Sequence, residues 1–281
     1  MIDRRELDRI IETAFAEDLP HGDITSNVFV PESATAVAEL NAREPGVFAG
    51  AEVFEAVMTT FDPSLTVTFE IADGESFEAE AVLARVSGSA RSILGAERIA
   101  LNLVQRMSAI ATLTRAYVDA AGSGVRVADT RKTTPGLRAL ERHAVLCGGG
   151  HNHRYSLSDA VMAKDNHLAL IDDVTAAIKN ARAQLPHTTH IEVEVDRLDQ
   201  IEPVLAGGVD TIMLDNFTLD ELREGVAIVN HRAVVEASGG VNLDTIAGIA
   251  ATGVDVISVG ALTHSVHNLD LGLDVTVRST P

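Results

Sequence analysis

Residues 128–167 read ADTRKTTPGLRALERHAVLCGGGHNHRYSLSDAVMAKDNH. Arg131, Lys132, Arg138, Arg142, Arg154 and Lys164 lie in this stretch, with His143, His151, His153 and His167. The chain as a whole carries a formal net charge of -19, and two of its three lysines, Lys132 and Lys164, are here. Cations gathered in an anionic body suggest a site for a small, highly charged anion. Arginine offers a planar fork suited to carboxylate or phosphate, and lysine a compact point charge. Arg131, Lys132, Arg154 and Lys164, with His153 beside them, form the candidate set. Arg138 and Arg142, four apart and next to Glu141, read instead as a solvated helix face.

Carboxylates and glycines follow further along. Glu194 and Asp215 end adjacent predicted strands. They suit a divalent metal such as Mg2+, sugar hydroxyls, or a developing oxocarbenium charge. The plainer alternative is that they cap the following helices or pair with Lys164. Strand alternation sets Glu192 and Glu194 on one face, so a single strand aims two carboxylates inward. Ser238-Gly239-Gly240 and Gly260-Ala261 follow the last two strands. Such late loops can hold a phosphate on backbone N–H groups, or can be ordinary tight turns. His151-Asn152-His153 lacks the partners of a zinc site, and Gly148-Gly149-Gly150 lacks the ending of a Walker loop. Cys147 reads as a small buried residue rather than a nucleophile.

The elements that must position these groups change rhythm along the chain. Residues 3–17 place Leu7, Ile10, Ile11 and Ala14 at helical spacing. Strands are expected over 37–42, 65–71 and 77–86, and a helix over 51–61. A long helix over about 92–121 carries Ile93, Ala100, Leu103, Val104, Met107 and Ile110 on one face. Then strands at 125–128, 159–163, 190–195, 210–214, 233–237 and 255–259 alternate with helices at 135–147, 172–184, 197–206, 218–230 and 242–251. That alternation implies parallel strands with helical crossovers, closed as an open doubly wound sheet or as a short barrel. In either, ligands gather at the carboxyl ends of the strands.

Composition narrows the field. At 281 residues, 46% hydrophobic and 22% charged, the chain has the make-up of one large or two modest globular domains. An acidic chain argues against nucleic acid as a partner. No apolar run approaches the roughly 18 residues of a membrane span, and residues 1–15 lack a signal-peptide pattern. Cys147 is the lone cysteine, which fits a reducing cytoplasm.

The long basic segment, together with EDLPHGDITS (17–26), REPGVFAGAEV (43–53), AERIALNLVQRMSAIAT (96–112), EVEVD (192–196), MLDNF (213–217), EASGGVN (236–242) and SVGALTHS (258–265), resembles the quinolinate phosphoribosyltransferase family. The resemblance implies an N-terminal α/β sandwich domain, residues 1–109 joined by the tail 268–281, and an incomplete parallel α/β barrel of the type II phosphoribosyltransferase kind over 110–267. It implies transfer of phosphoribose from 5-phosphoribosyl 1-diphosphate to quinolinate, with loss of CO2, in NAD biosynthesis. It also implies a homodimer in which Arg98 reaches the neighbour's site, with larger assemblies left open. By position, Arg131, His153, Arg154 and Lys164 would bind the two carboxylates of quinolinate, and Lys132 would lie near the diphosphate donor. Glu194 and Asp215 would serve the ribose hydroxyls and Mg2+. Ser238, Gly239, Gly240 and Gly260 would cradle the 5-phosphate, with His264 nearby. Lys132, Lys164, Glu194 and Asp215 are the expected catalytic set.

Three other readings stay open on the residues alone. One is a related phosphoribosyltransferase that uses another pyridine carboxylate. A second is a Schiff-base aldolase with Lys164 as the amine. A third is an anion-binding protein without turnover.

Overall fold

The computed structural model describes residues 2–277. In chain order the first elements are α1 (Arg4–Asp18), α2 (Ile24–Phe29), β1 (Thr35–Ala42), β2 (Gly46–Val47), α3 (Ala51–Phe61), β3 (Thr66–Phe69), β4 (Ser76–Phe77), β5 (Val82–Ser89) and α4 (Ala90–Ala121). Then come β6 (Arg126–Ala128), α5 (Arg138–Cys147), β7 (Val161–Ala163), α6 (Asp165–Leu168), α7 (Val174–Gln184) and β8 (Ile191–Val195). The remainder are α8 (Ile201–Gly207), β9 (Thr211–Asp215), α9 (Leu219–Val229), β10 (Val234–Ser238), α10 (Ile246–Ala250), β11 (Val256–Ser258), α11 (Ala261–His264) and β12 (Leu271–Val277).

Contacts divide these elements into two compact units. Within the described residues, the first holds 2–115, 133–149 and 265–277, and the second 116–132 and 150–264. The sequence reading placed 133–149 with the barrel; by contacts this segment, which contains α5, groups with the first unit. Residues 278–281 of the expected tail lie outside the described residues.

The first unit is built on a four-stranded antiparallel sheet ordered β12-β1-β5-β3. The strand expected over 77–86 is two strands, because Glu80 takes a positive φ of 68° and turns the chain between β4 and β5. α1 starts where the Asp3 carboxylate accepts the N–H groups of Arg5 and Glu6, an N-cap that satisfies two otherwise orphaned donors. It buries Leu7, Ile10 and Ile11. The expected apolar face of α4 is also buried, from Ile93 through Met107 to Ile110. Each such side chain contributes roughly 1.5–3 kcal/mol of transfer free energy.

The helix face expected to be solvated around Arg138 and Arg142 contains a buried carboxylate, Glu141. It is 1% exposed on α5. Its Oε1 accepts from Arg106 Nε at 2.7 Å, and its Oε2 from the Thr134 N–H at 3.1 Å. Arg106 also donates to Thr134 Oγ1 at 2.8 Å. The partner that buries this carboxylate lies 35 residues away, beyond the reach of helical spacing. Arg138 is half-buried as well, donating to Thr133 Oγ1 at 2.9 Å.

The second unit is built on six parallel strands ordered β6-β11-β10-β9-β8-β7. Successive strands are neighbours from β7 to β11, and β6 sits next to β11 rather than β7. That is a circular order opened between its first two strands, and so an incomplete barrel; a doubly wound sheet would reverse its order partway. Val193, Ile212, Leu214 and Ile257 are buried in it. Every residue of β8 is buried, Glu192 and Glu194 included.

Candidate active site

The basic residues assemble at the carboxyl ends of β6 and β7. Asp129, fully buried just after β6, organises the segment that follows α5. Its N–H donates to the His151 carbonyl at 2.9 Å, and its Oδ1 accepts the His153 N–H at 2.7 Å. The His151 N–H returns to the Val127 carbonyl at 2.8 Å. Residues 151–154 are thus laid along the open edge of β6, which brings His153 and Arg154 beside Arg131 and Lys132. The result is a cavity of about 290 Å3 lined by Arg131, Lys132, His153, Arg154, Lys164 and Ser238. Met162, Met213 and Ser258 also line it, so a basic wall meets the two methionine side chains.

The pocket is electrostatically tense. Burial and the neighbouring Arg131 charge hold the Arg154 guanidinium below the ordinary arginine value. Arg154 Nη1 donates to the Ala160 carbonyl at 2.9 Å, and its buried Nε has no hydrogen-bond partner among the described residues. An anion entering this pocket relieves both conditions.

A second, larger cavity of about 920 Å3 is lined by Glu194 and Asp215, with Asp165, Asp172, Asp173, Asp196, Asp199 and Asn216. Lys164 Nζ, in the basic pocket, is ion-paired with Glu194 in the acidic one. This pair joins the two chemistries.

The glycine loops lie at neighbouring strand ends. Gly239 has φ +91°, and a Cβ there would fall 2.1 Å from Asn216 Oδ1 and 2.9 Å from its backbone N. Asn216, itself at φ 60°, donates its N–H to the Ser238 carbonyl at 2.9 Å and its Nδ2 to Asp215 Oδ2 at 2.6 Å. Asn216 therefore ties Asp215 to the glycine turn. A Gly239→Ala substitution meets both strain and overlap, and its expected cost is about 1–3 kcal/mol. Chemical denaturation checks this; an unchanged midpoint would show that the turn relaxes freely. Gly240, at φ +61°, faces open space. A Cβ on Gly260 would meet Lys132 Cδ at 3.0 Å and His264 Nε2 at 3.1 Å, so His264 and Lys132 flank that turn. Lys132 is tied there by its carbonyl, which accepts from Thr263 Oγ1 at 2.8 Å. Arg98 is exposed on α4 in the first unit.

Two groups escaped sequence reasoning or were only half seen. Glu192 was expected to face inward with Glu194; its partner Glu236, on β10, was not singled out. The available signal was its place two residues before Ser238, on the same face of a strand whose inward positions ordinarily hold Val, Ile or Leu. Elsewhere, in the first unit, Asp73 accepts the N–H groups of Gly50 and Ala51 at the start of α3 and lies 2.8 Å from His143 Nε2. Burial, and then the Asp73 charge, push the neighbouring Cys147 thiol up to about 12, which keeps it an inert thiol.

Comparison with known proteins decides the family. The description "Quinolinate phosphoribosyl transferase, C-terminal domain" matches residues 110–274, and its N-terminal counterpart matches residues 23–108. The chain belongs to the quinolinate phosphoribosyl transferase family. A probable nicotinate-nucleotide pyrophosphorylase [carboxylating] of Bacillus subtilis (strain 168) is 40% identical over 275 residues, covering 98% of this chain and 95% of that protein. The nicotinate-nucleotide pyrophosphorylase [carboxylating] of Mycobacterium leprae (strain TN) is 43% identical over 272 residues, covering 94% and 95%. The crystal structure of NadC from Streptococcus pyogenes superimposes with a TM-score of 0.96 at 39% identity, covering 99% of each chain. This family member thus has the incomplete barrel and separate antiparallel sheet of its solved relatives. No helix among the described residues is long and apolar enough to cross a membrane.

Proposed function

We propose that this protein transfers phosphoribose from 5-phosphoribosyl 1-diphosphate to the ring nitrogen of quinolinate and releases diphosphate and CO2, giving nicotinate mononucleotide for NAD biosynthesis. The observation that carries the reading is the gathering of Arg131, Lys132, Arg154 and Lys164 in one pocket that meets a carboxylate-lined cavity through the Lys164–Glu194 pair. A dicarboxylate needs this many donors, and a monocarboxylate would leave part of the set unmatched.

In this reading Arg131, Arg154, His153 and Lys164 hold the two carboxylates and fix the ring against Met162 and Met213. Holding both reactants converts a two-body encounter into a local one. The ring nitrogen attacks the ribose C1, and the bond from C1 to the diphosphate oxygen breaks. Glu194 and Asp215 face the ribose hydroxyls and the cation-like carbon. Lys132 and the backbone of Ser238, Gly239, Gly240 and Gly260, with His264 beside them, serve the donor's phosphates. Ribosyl transfer comes first. The positively charged ring nitrogen then stabilises the electron pair left on the adjacent carbon as CO2 departs, and that carbon takes up a proton.

The carboxylates of the acidic cavity suit Mg2+, which binds through one or two of them and keeps its other positions for water and phosphate. Glu194 and Asp215 each use one oxygen toward Lys164 and Asn216, respectively. These two residues would hold the ion, which when bound neutralises the leaving diphosphate. The exposure of Arg98 supports the shared-site homodimer, and the single cysteine is in keeping with a cytoplasmic setting. A Schiff-base reading is disfavoured because Lys164 Nζ is engaged by Glu194.

A coupled assay with quinolinate, 5-phosphoribosyl 1-diphosphate and Mg2+ should yield nicotinate mononucleotide and CO2 together. Chelation should lower the rate and added Mg2+ restore it. Turnover of nicotinate in preference to quinolinate would overturn the substrate assignment. Sedimentation as a monomer at assay concentration would remove the shared site.

A further inference from the structure

Beneath the basic pocket lie two carboxylates that the reaction above does not use. Glu192 on β8 and Glu236 on β10 are each 4% exposed and stand on either side of β9. Between them is the His153 ring, its Nε2 3.2 Å from Glu192 Oε2 and 3.5 Å from Glu236 Oε1. Stability does not account for this pair. Two buried carboxylates carry a desolvation penalty that apolar residues would avoid. Moreover, Glu192 Oε1 lacks a hydrogen-bond partner among the described residues, and Glu236 Oε1 has only its 3.5 Å approach to Nε2.

The other side of the ring shows what the pair does. His153 Nδ1 accepts the Arg154 N–H at 2.8 Å, which places a ring hydrogen on Nε2, facing the carboxylates. A cation at that place would need the Nε2 lone pair, so the cluster is a hydrogen-bonded one. The His153 backbone N–H is fixed by Asp129. The ring is thus held at both nitrogens, and through Nδ1 it holds the backbone of Arg154. The charges around it are Asp129, Glu192 and Glu236 behind, and Arg131, Lys132, Arg154 and Lys164 toward the pocket.

We propose that Glu192 and Glu236 are positioning residues for the dicarboxylate site: they clamp the His153 ring from two strands, and the ring in turn fixes Arg154. The proposal rests on the quinolinate reading of the pocket. The arrangement is that of the neutral ring, with its hydrogen on Nε2 and its Nδ1 lone pair turned to the Arg154 N–H. Withdrawing the carboxylates weakens the hold on this orientation, and a turned ring no longer offers Nδ1 to the Arg154 N–H.

The test is steady-state kinetics of Glu192→Gln and Glu236→Gln in the full-length protein, with folding monitored by thermal melting. The KM for quinolinate should rise about 5- to 10-fold, as expected when a charge-assisted hydrogen bond becomes a neutral one, while the KM for 5-phosphoribosyl 1-diphosphate stays within about twofold. In a His153→Ala background the same substitutions should add less than about twofold, because their effect passes through the ring. If the Gln variants do not fold, Glu192→Asp and Glu236→Asp, which withdraw the charge without removing it, are read by the same criteria. Unchanged quinolinate KM in folded variants, or full additivity with His153→Ala, overturns the proposal. A wild-type protein that does not turn over quinolinate defeats instead the functional reading on which it rests.

Discussion

Lys164→Ala lowers kcat/KM for phosphoribosyl transfer roughly a thousandfold, at the upper end of what one preorganised charged contact supplies. The expectation comes from its position. Lys164 follows β7 as the N-cap of α6, and its backbone N–H donates to His167 Nδ1 at 3.0 Å, so the side chain leaves from a fixed point. Its Nζ is part of the basic pocket and is paired with Glu194, whose side chain is only 10% exposed. Truncation removes a cation from the basic pocket and takes the counter-charge from a nearly buried carboxylate of the acidic cavity. Both losses fall on the reacting groups, so kcat should fall along with the rise in quinolinate KM. Lys164→Arg keeps the charge and should recover part of the rate. Initial-rate measurements at varied quinolinate decide it. A loss under tenfold in a protein that melts normally would place Lys164 outside the chemistry.

Glu141→Ala destabilises the fold by about 3–5 kcal/mol, the cost of breaking a buried ion pair by removing one partner. Glu141 is among the most buried charged groups of the chain, and its two oxygens serve Arg106 and the Thr134 N–H. Removing it takes from the Arg106 guanidinium, 22% exposed, the buried carboxylate at 2.7 Å. Urea denaturation followed by circular dichroism reads the change as a lower midpoint. Replacing both residues with apolar ones of similar volume should cost much less than either truncation alone, since both charges are removed together. A shift below about 1 kcal/mol for Glu141→Ala would mean that the pair behaves as a solvent-exposed one.

These two residues differ in how far the sequence announced them. Lys164 was legible because strand-helix alternation located the end of β7, and active groups collect at such ends. The same alternation located Glu194, Asp215 and the glycine turns, and observed strand bounds differ from the expected ones by a residue or two. Glu141 was not singled out because helical spacing reports only neighbours three or four residues away. Its neighbours there are arginines, and the partner that buries it lies on α4. Glu236 was missed for a related reason. A lone acidic residue in a strand has no local signal of what faces it, and His153 reaches it only because residues 151–154 are laid along β6. The choice between barrel and doubly wound sheet was likewise undecidable from periodicity, since both need the same βα repeats. Strand neighbours, which depend on long-range pairing, settle it. The turn at Glu80 broke an expected strand because a positive φ on a non-glycine residue leaves no compositional mark.

The order of the antiparallel sheet bears on how the chain assembles during synthesis. β1 is flanked by β5 on one side and β12 on the other. The ribosome delivers β5 soon after β1, but β12 only after all six parallel strands have emerged. Until then one side of β1 presents unpaired N–H and C=O groups, an edge open to foreign strands. The parallel sheet can complete its pairing while the first sheet waits for its last strand. A nascent chain stalled before residue 271 would therefore carry its aggregation hazard in β1, at the beginning of the sequence, rather than in the part still being made.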